Sequence, residues 1–256
     1  MKLKIAAAAL CGVFAYAGAV QAAEIKVLAS GAIKETAAEL FPQFEKASGN
    51  KVNVTWAGTV DIKKRISAGE SFDLVIMASD GIDAFMKEGK FATGSKLDLV
   101  KSLVGVAVKA GAPKPTLANG EDLKKALLGS KSVGYSTGPS GTYLEGLFAK
   151  LGIADQIRAK AKITPPGVPV ASLIRDGNAE IGFQQVSELI HEPGIEFLGP
   201  IPADVQNVTV FSSAVPAGSQ AATEAKALQG FLTAPAAAAT IKKHGLEQVP
   251  RPASAS

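Results

Sequence analysis

The chain has 256 residues, a formal net charge of +4 at pH 7 and a single tryptophan. Its charges are scattered, and it lacks the basic stripe with interleaved aromatic residues that is typical of nucleic-acid binding. We therefore expect no nucleic-acid partner. The length suits two modest domains or one large one.

The two ends of the chain are predicted to lie outside the folded part. In residues 1–22, two lysines precede an apolar run of small residues, and Val20-Gln21-Ala22 suits a cleavage site, which together are typical of a secretory signal peptide. Cleavage would remove Cys11, the only cysteine in the sequence, so no disulfide or cysteine metal site is expected. Residues 249–256 contain prolines and small polar residues and are predicted to form a flexible tail.

Apolar strands and amphipathic helices alternate along the chain. In order, the sequence predicts a strand at 25–29, a helix at 33–47, a strand at 52–56, a helix at 60–68, a strand at 73–77, a helix at 80–88 and a long strand at 99–108. The pattern restarts with a helix at 121–128, a strand at 132–135, helices at 142–151 and 155–160, a strand at 162–164, a helix at 169–175 and a strand at 181–183. A strand at 208–215 and helices at 223–232 and 235–244 follow. This alternation predicts an α/β protein with mixed, mostly parallel sheets and helices on both faces.

Four of the strand-to-helix loops have a composition that suits a small anion. They are Ser30-Gly31-Ala32, Gly58-Thr59, Gly138-Pro139-Ser140-Gly141-Thr142 and Pro165-Pro166-Gly167-Val168-Pro169. Each offers backbone N–H groups at the positive end of a helix dipole, and Thr142 and Glu145 are spaced as a capping box. One such loop alone is usually a helix cap. Four of them predict a shared cleft beyond the carboxyl ends of the strands.

A fifth segment, IGFQQVSEL at residues 181–189, places two adjacent amides at the end of a short apolar strand. Gln184 and Gln185 offer neutral donors and acceptors, and Ser187 is predicted to cap a following helix. Taken alone, the glutamines suit either ordinary strand-end positions or ligand contacts. The four loops favour ligand contacts.

Candidate catalytic groups are few. The two histidines fall at predicted helix ends, and the sequence shows no Ser-His-Asp arrangement, metal-ligand cluster or phosphate loop with a following lysine. We therefore predict no metal and no cofactor. Tyr143 and Glu188 are the titratable residues beside the loops that could exchange a proton with a ligand. A plain role on a helix face or as a cap is the alternative for each.

Five motifs along the chain carry a resemblance to a known family. They are VLASGAIKE, FEKASG, ISAGESFDLVIMAS, PSGTY and FLTAPAAAATIKKHGL. Together they resemble the molybdate-binding protein family of type II periplasmic solute-binding proteins. The resemblance implies a two-lobed fold, with residues 23–104 plus 210–256 in lobe I, 105–209 in lobe II and a ligand cleft between the lobes. It also implies a periplasmic monomer that delivers a small anion to an ABC-type membrane permease.

The family's ligand contacts can be transferred one position at a time. They fall on Ala32 (beside Ser30), Thr59, Ser140, Gly167 or Val168, and Gln185. Ala32 replaces a serine of the family pattern and Gln185 replaces a tyrosine. A cage of neutral hydroxyl groups suits a fully ionised small dianion, whereas Gln184 and Gln185 suit carboxylates, so the resemblance leaves the identity of the anion open.

A second set of motifs resembles the aconitate isomerases, periplasmic enzymes of this fold that interconvert cis- and trans-aconitate. These motifs are SVGYSTGPSGTY, GAPKP, and IGFQQVSEL followed by PGIEFLGPIP. The matching positions are Ser30, Gly31, Ser140, Gly141, Tyr143, Gln184, Gln185 and Glu188. Two hypotheses follow: a non-catalytic receptor for a small anion, which the lack of a clear acid–base pair favours, and an isomerase of a small tricarboxylate.

Overall fold

The computed structural model of the protein describes residues 22–165 and 167–250. Residues 1–21 with Cys11, Pro166 and residues 251–256 lie outside the described residues, and so do nearly all of the predicted signal peptide and most of the predicted tail. No helix within the described ranges combines the length and apolar character needed to cross a membrane.

Strands and α-helices alternate as the sequence predicts. The strands are β1 (Glu24–Ser30), β2 (Lys51–Ala57), β3 (Leu74–Ala78), β4 (Leu97–Lys109), β5 (Val133–Ser136), β6 (Ala161–Thr164), β7 (Ile181–Gln185), β8 (Ile195–Pro200), β9 (Val208–Ala214) and β10 (Glu247–Gln248). The helices are α1 (Lys34–Ser48), α2 (Thr59–Ser67), α3 (Ser79–Lys87), α4 (Gly120–Gly129), α5 (Pro139–Lys150), α6 (Ala154–Arg158), α7 (Val170–Arg175), α8 (Ala222–Leu232) and α9 (Ala238–Lys243). Short 3₁₀ turns occupy Gly31–Ile33, Val186–Glu188, Ala203–Val205 and Pro235–Ala237.

The long strand β4 connects two halves of the sheet. The strand order is β2-β1-β3-β9-β4-β7-β5-β6, and β8 and β10 also pair with β4. Residues 97–103 of β4 pair with β9, whereas residues 104–108 pair with β7. Every antiparallel ladder in the described chain involves β4 or β9, and the remaining ladders are parallel. The mixed α/β fold is confirmed, but the expectation of mostly parallel pairing is wrong, because β4 and β9 run against their neighbours.

Helices cover both faces of each half of the sheet, as predicted. In the first half, α1, α8 and α9 pack on one face around the fully buried Phe211, and α2 and α3 pack on the other face. In the second half, α4, α5 and α6 pack around the fully buried Phe183, and α7 covers the opposite face. Burying one such side chain stabilises the fold by about 1.5–3 kcal/mol. Because helices cover both faces of each half, a ligand can reach the sheet only at its edges, and the carboxyl ends of the parallel strands form one such edge.

Three local predictions differ from the structure. Neither β8 nor β10 is among the predicted strands; β8 is only partly buried, β10 has two residues, and each pairs with β4 alone. The capping box at Thr142 and Glu145 is wrong, because α5 begins earlier, at Pro139, whose missing N–H suits the first helical position. Ser187 does not cap a helix either, since it lies inside a three-residue 3₁₀ turn.

Candidate functional site

A cavity of about 160 Å³ lies where the four loops and the end of β7 meet. It is smaller than the roughly 300–1,000 Å³ typical of sites for drug-sized ligands, so it suits a small molecule. The structure brings eight of the predicted ligand residues to its wall: Ser30, Gly31, Gly58, Thr59, Ser140, Gly167, Val168 and Gln184. Their role in binding stays a prediction, but their convergence is a property of the fold.

The starts of α2 and α5 present backbone N–H groups to the cavity. The first intrahelical hydrogen bonds run from the Ile62 N–H to the Gly58 carbonyl and from the Thr142 N–H to the Gly138 carbonyl, both at 3.0 Å. The N–H groups that precede them have no acceptor within their helices. Gly58 and Thr59 line the cavity at the start of α2, and Ser140 does so at the start of α5, where Pro139 has no N–H and the Gly138 N–H donates to the Ser136 Oγ at 3.2 Å. These two helix starts can therefore donate hydrogen bonds to a ligand oxygen.

Two serines of the loops differ in how their hydroxyls are used. The Ser30 Oγ accepts a hydrogen bond from the Ala32 N–H at 3.3 Å and so caps the 3₁₀ turn after β1. Ser140 is 1% exposed, and its Oγ has no hydrogen-bond partner within the described chain. Buried hydroxyls usually have a partner. The Ser140 hydroxyl is thus a candidate donor to a bound ligand.

Gln184 is held in one orientation. Its Oε1 accepts a hydrogen bond from the Val170 N–H at 2.8 Å, at the start of α7. Its Nε2 donates to the Glu188 Oε1, also at 2.8 Å. Both ends of the amide are therefore bonded within the protein.

Glu188 is a titratable group of the cavity wall. It ends the 3₁₀ turn that follows β7 and is partly buried. Burial raises the pKa of Glu188 to about 7, although the hydrogen bonds from the Gln184 side chain and the Gln185 backbone lower it, and the charge of Glu192 raises it further. A carboxyl group with a pKa near neutrality can both accept and donate a proton at physiological pH.

The other predicted site residues do not line this cavity. Ala32 is 2% exposed in the core of the first half, and Gln185 is 1% exposed and donates through Nε2 to the Thr209 Oγ1. Gly141 packs so closely on the end of β5 that a Cβ would lie 1.6 Å from the Ser136 carbonyl oxygen. Tyr143 donates its hydroxyl to the Val205 carbonyl at 2.7 Å. Of the two candidate proton-transfer groups, the structure therefore places only Glu188 at the cavity.

The sequence patterns missed three charged residues of the cavity wall, Lys34, Glu35 and Glu192. Lys34 is the first residue of α1 and lies two residues after Ala32, the last residue of the first loop. Extending each loop by one helical turn would have included it. Glu192 forms a partly exposed ion pair with Arg175 at 3.9 Å. Within the described ranges, no group of three His, Cys, Asp or Glu side chains is placed to hold a metal ion.

Comparisons with known proteins agree with this architecture. The chain is 37% identical over 232 residues to an aconitate isomerase of Pseudomonas sp., covering 88% of each chain. It is 27% identical over 233 residues to the molybdate-binding protein ModA of Azotobacter vinelandii, covering 89% of this chain and 91% of the relative. The structure of the periplasmic molybdate-binding protein of Azotobacter vinelandii superposes with a TM-score of 0.72 at 20% identity, over 89% of this chain and all of that one. The model of the family described as bacterial extracellular solute-binding protein matches residues 25–247. This protein belongs to the family of bacterial extracellular solute-binding proteins.

Proposed function

We propose that this protein binds a small polycarboxylate in the cavity and interconverts cis- and trans-aconitate, with Glu188 as the catalytic residue that moves the proton. The observation that carries the proposal is the Glu188 carboxyl group itself, which lines the cavity with its pKa raised to about 7 by burial. At that pKa both protonation states are populated at neutral pH, so the same group can act as base and then as acid.

The reaction needs only one such group. Ionised Glu188 removes a proton from the methylene carbon, and the electron pair of the C–H bond is delocalised through the double bond into the carboxylate at its far end. The protonated Glu188 then returns the proton to the far carbon, so the double bond moves to the former methylene position and can adopt the other geometry. No atom and no electron is gained or lost, and no redox partner is required.

The cavity wall supplies the groups that would hold the carboxylates and the developing charge. The N–H groups at the starts of α2 and α5 and the buried Ser140 hydroxyl are uncharged donors. Lys34 adds a positive charge. Donors that are already oriented towards the position of the developing negative charge stabilise the dienolate intermediate more than the substrate.

A fully ionised oxyanion would leave Glu188 without a chemical role. Glu35, Glu188 and Glu192 all line the cavity, and each repels an oxyanion or a polycarboxylate when it is ionised, so the choice between them rests on proton exchange with Glu188. A substrate that exchanges a proton with Glu188 gives this carboxyl group a role in the reaction. The 37% identity to an aconitate isomerase supports the same choice.

The test is to incubate the mature protein with trans-aconitate and follow the cis isomer by proton NMR. We expect sustained turnover that falls by about 10²–10⁴-fold in Glu188→Gln, the usual contribution of a general acid–base group. Tyr143→Phe is the matched control: its hydroxyl bonds to a backbone carbonyl outside the cavity, so turnover should persist. Absence of turnover in the wild-type protein, or loss of turnover in Tyr143→Phe with Glu188→Gln unaffected, would reject the assignment.

A non-catalytic receptor for a small anion is the second candidate, and the uncharged helix starts around the cavity favour it. In that case the protein would act in the periplasm as a monomer and deliver its ligand to an ABC-type importer. A thermal-shift panel of molybdate, tungstate, sulfate and citrate separates the two. A large stabilisation by molybdate or sulfate without turnover of trans-aconitate supports the receptor.

Both candidates use the same proposed division into lobes. We propose lobe I at 23–104 plus 210–256 and lobe II at 105–209. The change of the pairing partner of β4 from β9 to β7 between Leu103 and Val104, one residue before the proposed boundary, supports this division. Closure would bend β4 and the segment before β9. Small-angle scattering with and without trans-aconitate should show compaction, and an unchanged radius of gyration at saturating ligand would reject closure.

A further inference from the structure

The orientation of the Gln184 amide follows from its partners. Gln184 is 4% exposed at the end of β7. The Val170 N–H can only donate, so the side-chain atom 2.8 Å from it must be the amide oxygen. The amide nitrogen therefore faces Glu188 and donates to its Oε1 at 2.8 Å. This assignment rests on hydrogen-bond chemistry and does not depend on distinguishing oxygen from nitrogen by position.

The same contact fixes which oxygen of Glu188 can carry a proton. The Glu188 Oε1 accepts the hydrogen bond from the Gln184 amide, which stabilises negative charge on that oxygen and makes it less basic than Oε2. Gly31 restricts Oε1 from another side, because a Cβ at position 31 would lie 3.1 Å from it. Protonation is thereby directed to Oε2.

We propose that Gln184 is a positioning residue, which holds the Oε1 of Glu188 as an acceptor so that Oε2 is the atom that takes up and returns the proton. The inference rests on the proposed function for its catalytic consequence, but the effect of Gln184 on the protonation of Glu188 can be measured without turnover. Gln184 was predicted to contact the ligand, but both of its polar groups are already bonded within the protein, so its proposed role is to position Glu188.

The charges around Glu188 define the direction of the expected effect. The charge of Glu192 disfavours the ionised form of Glu188, and Lys34 and Glu35, which carry opposite charges, line the same cavity. The hydrogen bonds from the Gln184 side chain and the Gln185 backbone lower the pKa of Glu188 against the effect of burial. Removing the Gln184 donor should therefore raise the pKa of Glu188, while the Gln185 backbone and the neighbouring charges stay in place.

Two substitutions separate the two bonds of Gln184. Gln184→Met removes both, so it loses the cap on the Val170 N–H as well as the donor to Glu188. Gln184→Glu keeps an oxygen for the Val170 N–H and replaces the donor with a second carboxyl oxygen, so that the introduced carboxyl group and Glu188 share one proton. Gln185→Met is the matched control, because the adjacent Gln185 is equally buried but donates to Thr209 on the opposite face of β7.

The measurement is a carbon-13 NMR pH titration of the mature protein with labelled glutamate carboxyl groups, in which Glu188→Gln identifies the Glu188 signal. We expect the midpoint to rise by about one pH unit or more in Gln184→Met and Gln184→Glu, since the loss of one charge-assisted hydrogen bond is of that size. The midpoint should stay unchanged in Gln185→Met, although its melting temperature should fall. The acidic limb of kcat/KM for trans-aconitate should move by the same amount as the midpoint.

An unshifted midpoint in both Gln184 variants, or an equal shift in Gln185→Met, overturns the positioning role. A shifted midpoint in a protein that does not isomerise trans-aconitate supports the positioning role and rejects the proposed function. The two failures are therefore distinguishable. Rescue of thermal stability in Gln184→Glu relative to Gln184→Met, with the midpoint still raised, supports the assignment of separate roles to the two ends of the amide.

Discussion

The contact between the start of α5 and the end of β5 allows a stringent test of the cavity wall. An alanine Cβ at position 141 would lie 1.6 Å from the Ser136 carbonyl oxygen and 2.8 Å from its carbonyl carbon. Because the obstacle is backbone, the helix start or the strand end must move by more than about 1.5 Å to restore a normal carbon contact. Gly141→Ala should therefore destabilise the protein by about 3 kcal/mol, the upper end for overpacking. That corresponds to a melting temperature lower by about 6–12 °C.

Gly146→Ala in the same helix is the matched control. An added Cβ at Gly146 would meet nothing within 4 Å, so the substitution should stabilise the helix by about 0.5–1 kcal/mol through propensity alone. Far-UV circular dichroism melts of both variants, with and without trans-aconitate, measure the difference. Displacement of Ser140 should also abolish the thermal shift caused by the ligand in Gly141→Ala. A Gly141→Ala protein that melts within about 2 °C of the wild type would refute the close contact.

Three further predictions concern charge and buried hydrogen bonds. Burial raises the pKa of Asp73, but hydrogen bonds from four donors outweigh it and lower the pKa. The stabilisation is therefore present above about pH 4 and lost as the pH falls through the lowered value. Urea unfolding of Asp73→Asn should show a loss of about 2 kcal/mol at pH 7 that shrinks below pH 4, and a constant loss would contradict this. The pKa of Glu188 is raised to about 7, so its ionisation costs stability as the pH rises from about 4 to 7. Between pH 4 and pH 8, the free energy of unfolding of Glu188→Gln should therefore rise by about 2–3 kcal/mol relative to that of the wild type in the same assay. A fall relative to the wild type would contradict burial of the carboxyl group. Gln206 accepts from the Val104 N–H and donates to the Val104 carbonyl where β4 changes partners. Gln206→Leu should cost about 2–3 kcal/mol, and an unchanged urea midpoint would show that water replaces both bonds.

The order of strands and helices could be predicted from the sequence because it depends on local periodicity. A short apolar run predicts a buried strand, and a glycine after an amphipathic segment predicts the end of a helix, wherever in the chain they occur. The convergence of the four loops could be predicted for a related reason: parallel strands expose their carboxyl ends at the same edge of a sheet. The direction of β4 and β9 could not be predicted, because strand polarity depends on pairing between segments far apart in the chain.

The structure brings some of the predicted site residues to the cavity and not others, and the reasons are geometric. Successive side chains of a strand point to opposite faces, so Gln184 and Gln185 could not both face one cavity. Applying that rule to the sequence would have separated them. The exclusion of Tyr143 could not be predicted, since its partner is the Val205 carbonyl, 62 residues away. Gly141 was assigned to the ligand, whereas the structure explains it by a close backbone contact.

The position of Glu188 shows why a site of this kind is difficult to derive from sequence patterns. Its 3₁₀ turn leaves the second half of the sheet and packs on the C-terminal part of the chain. The Val186 side chain lies against Gly245, where a Cβ would be 2.7 Å from it, and Gly245 also has a positive φ of 74°. The His191 Nε2 lies 3.2 Å from the Lys243 carbonyl, a contact between residues 52 positions apart. The turn is thus held between β7 and the loop after α9, whereas the Glu188 carboxyl group itself lies between the Gln184 side chain and Gly31. A movement of either half of the sheet would change the distance from Glu188 to the helix starts across the cavity, and this links the proposed closure directly to the proposed proton transfer.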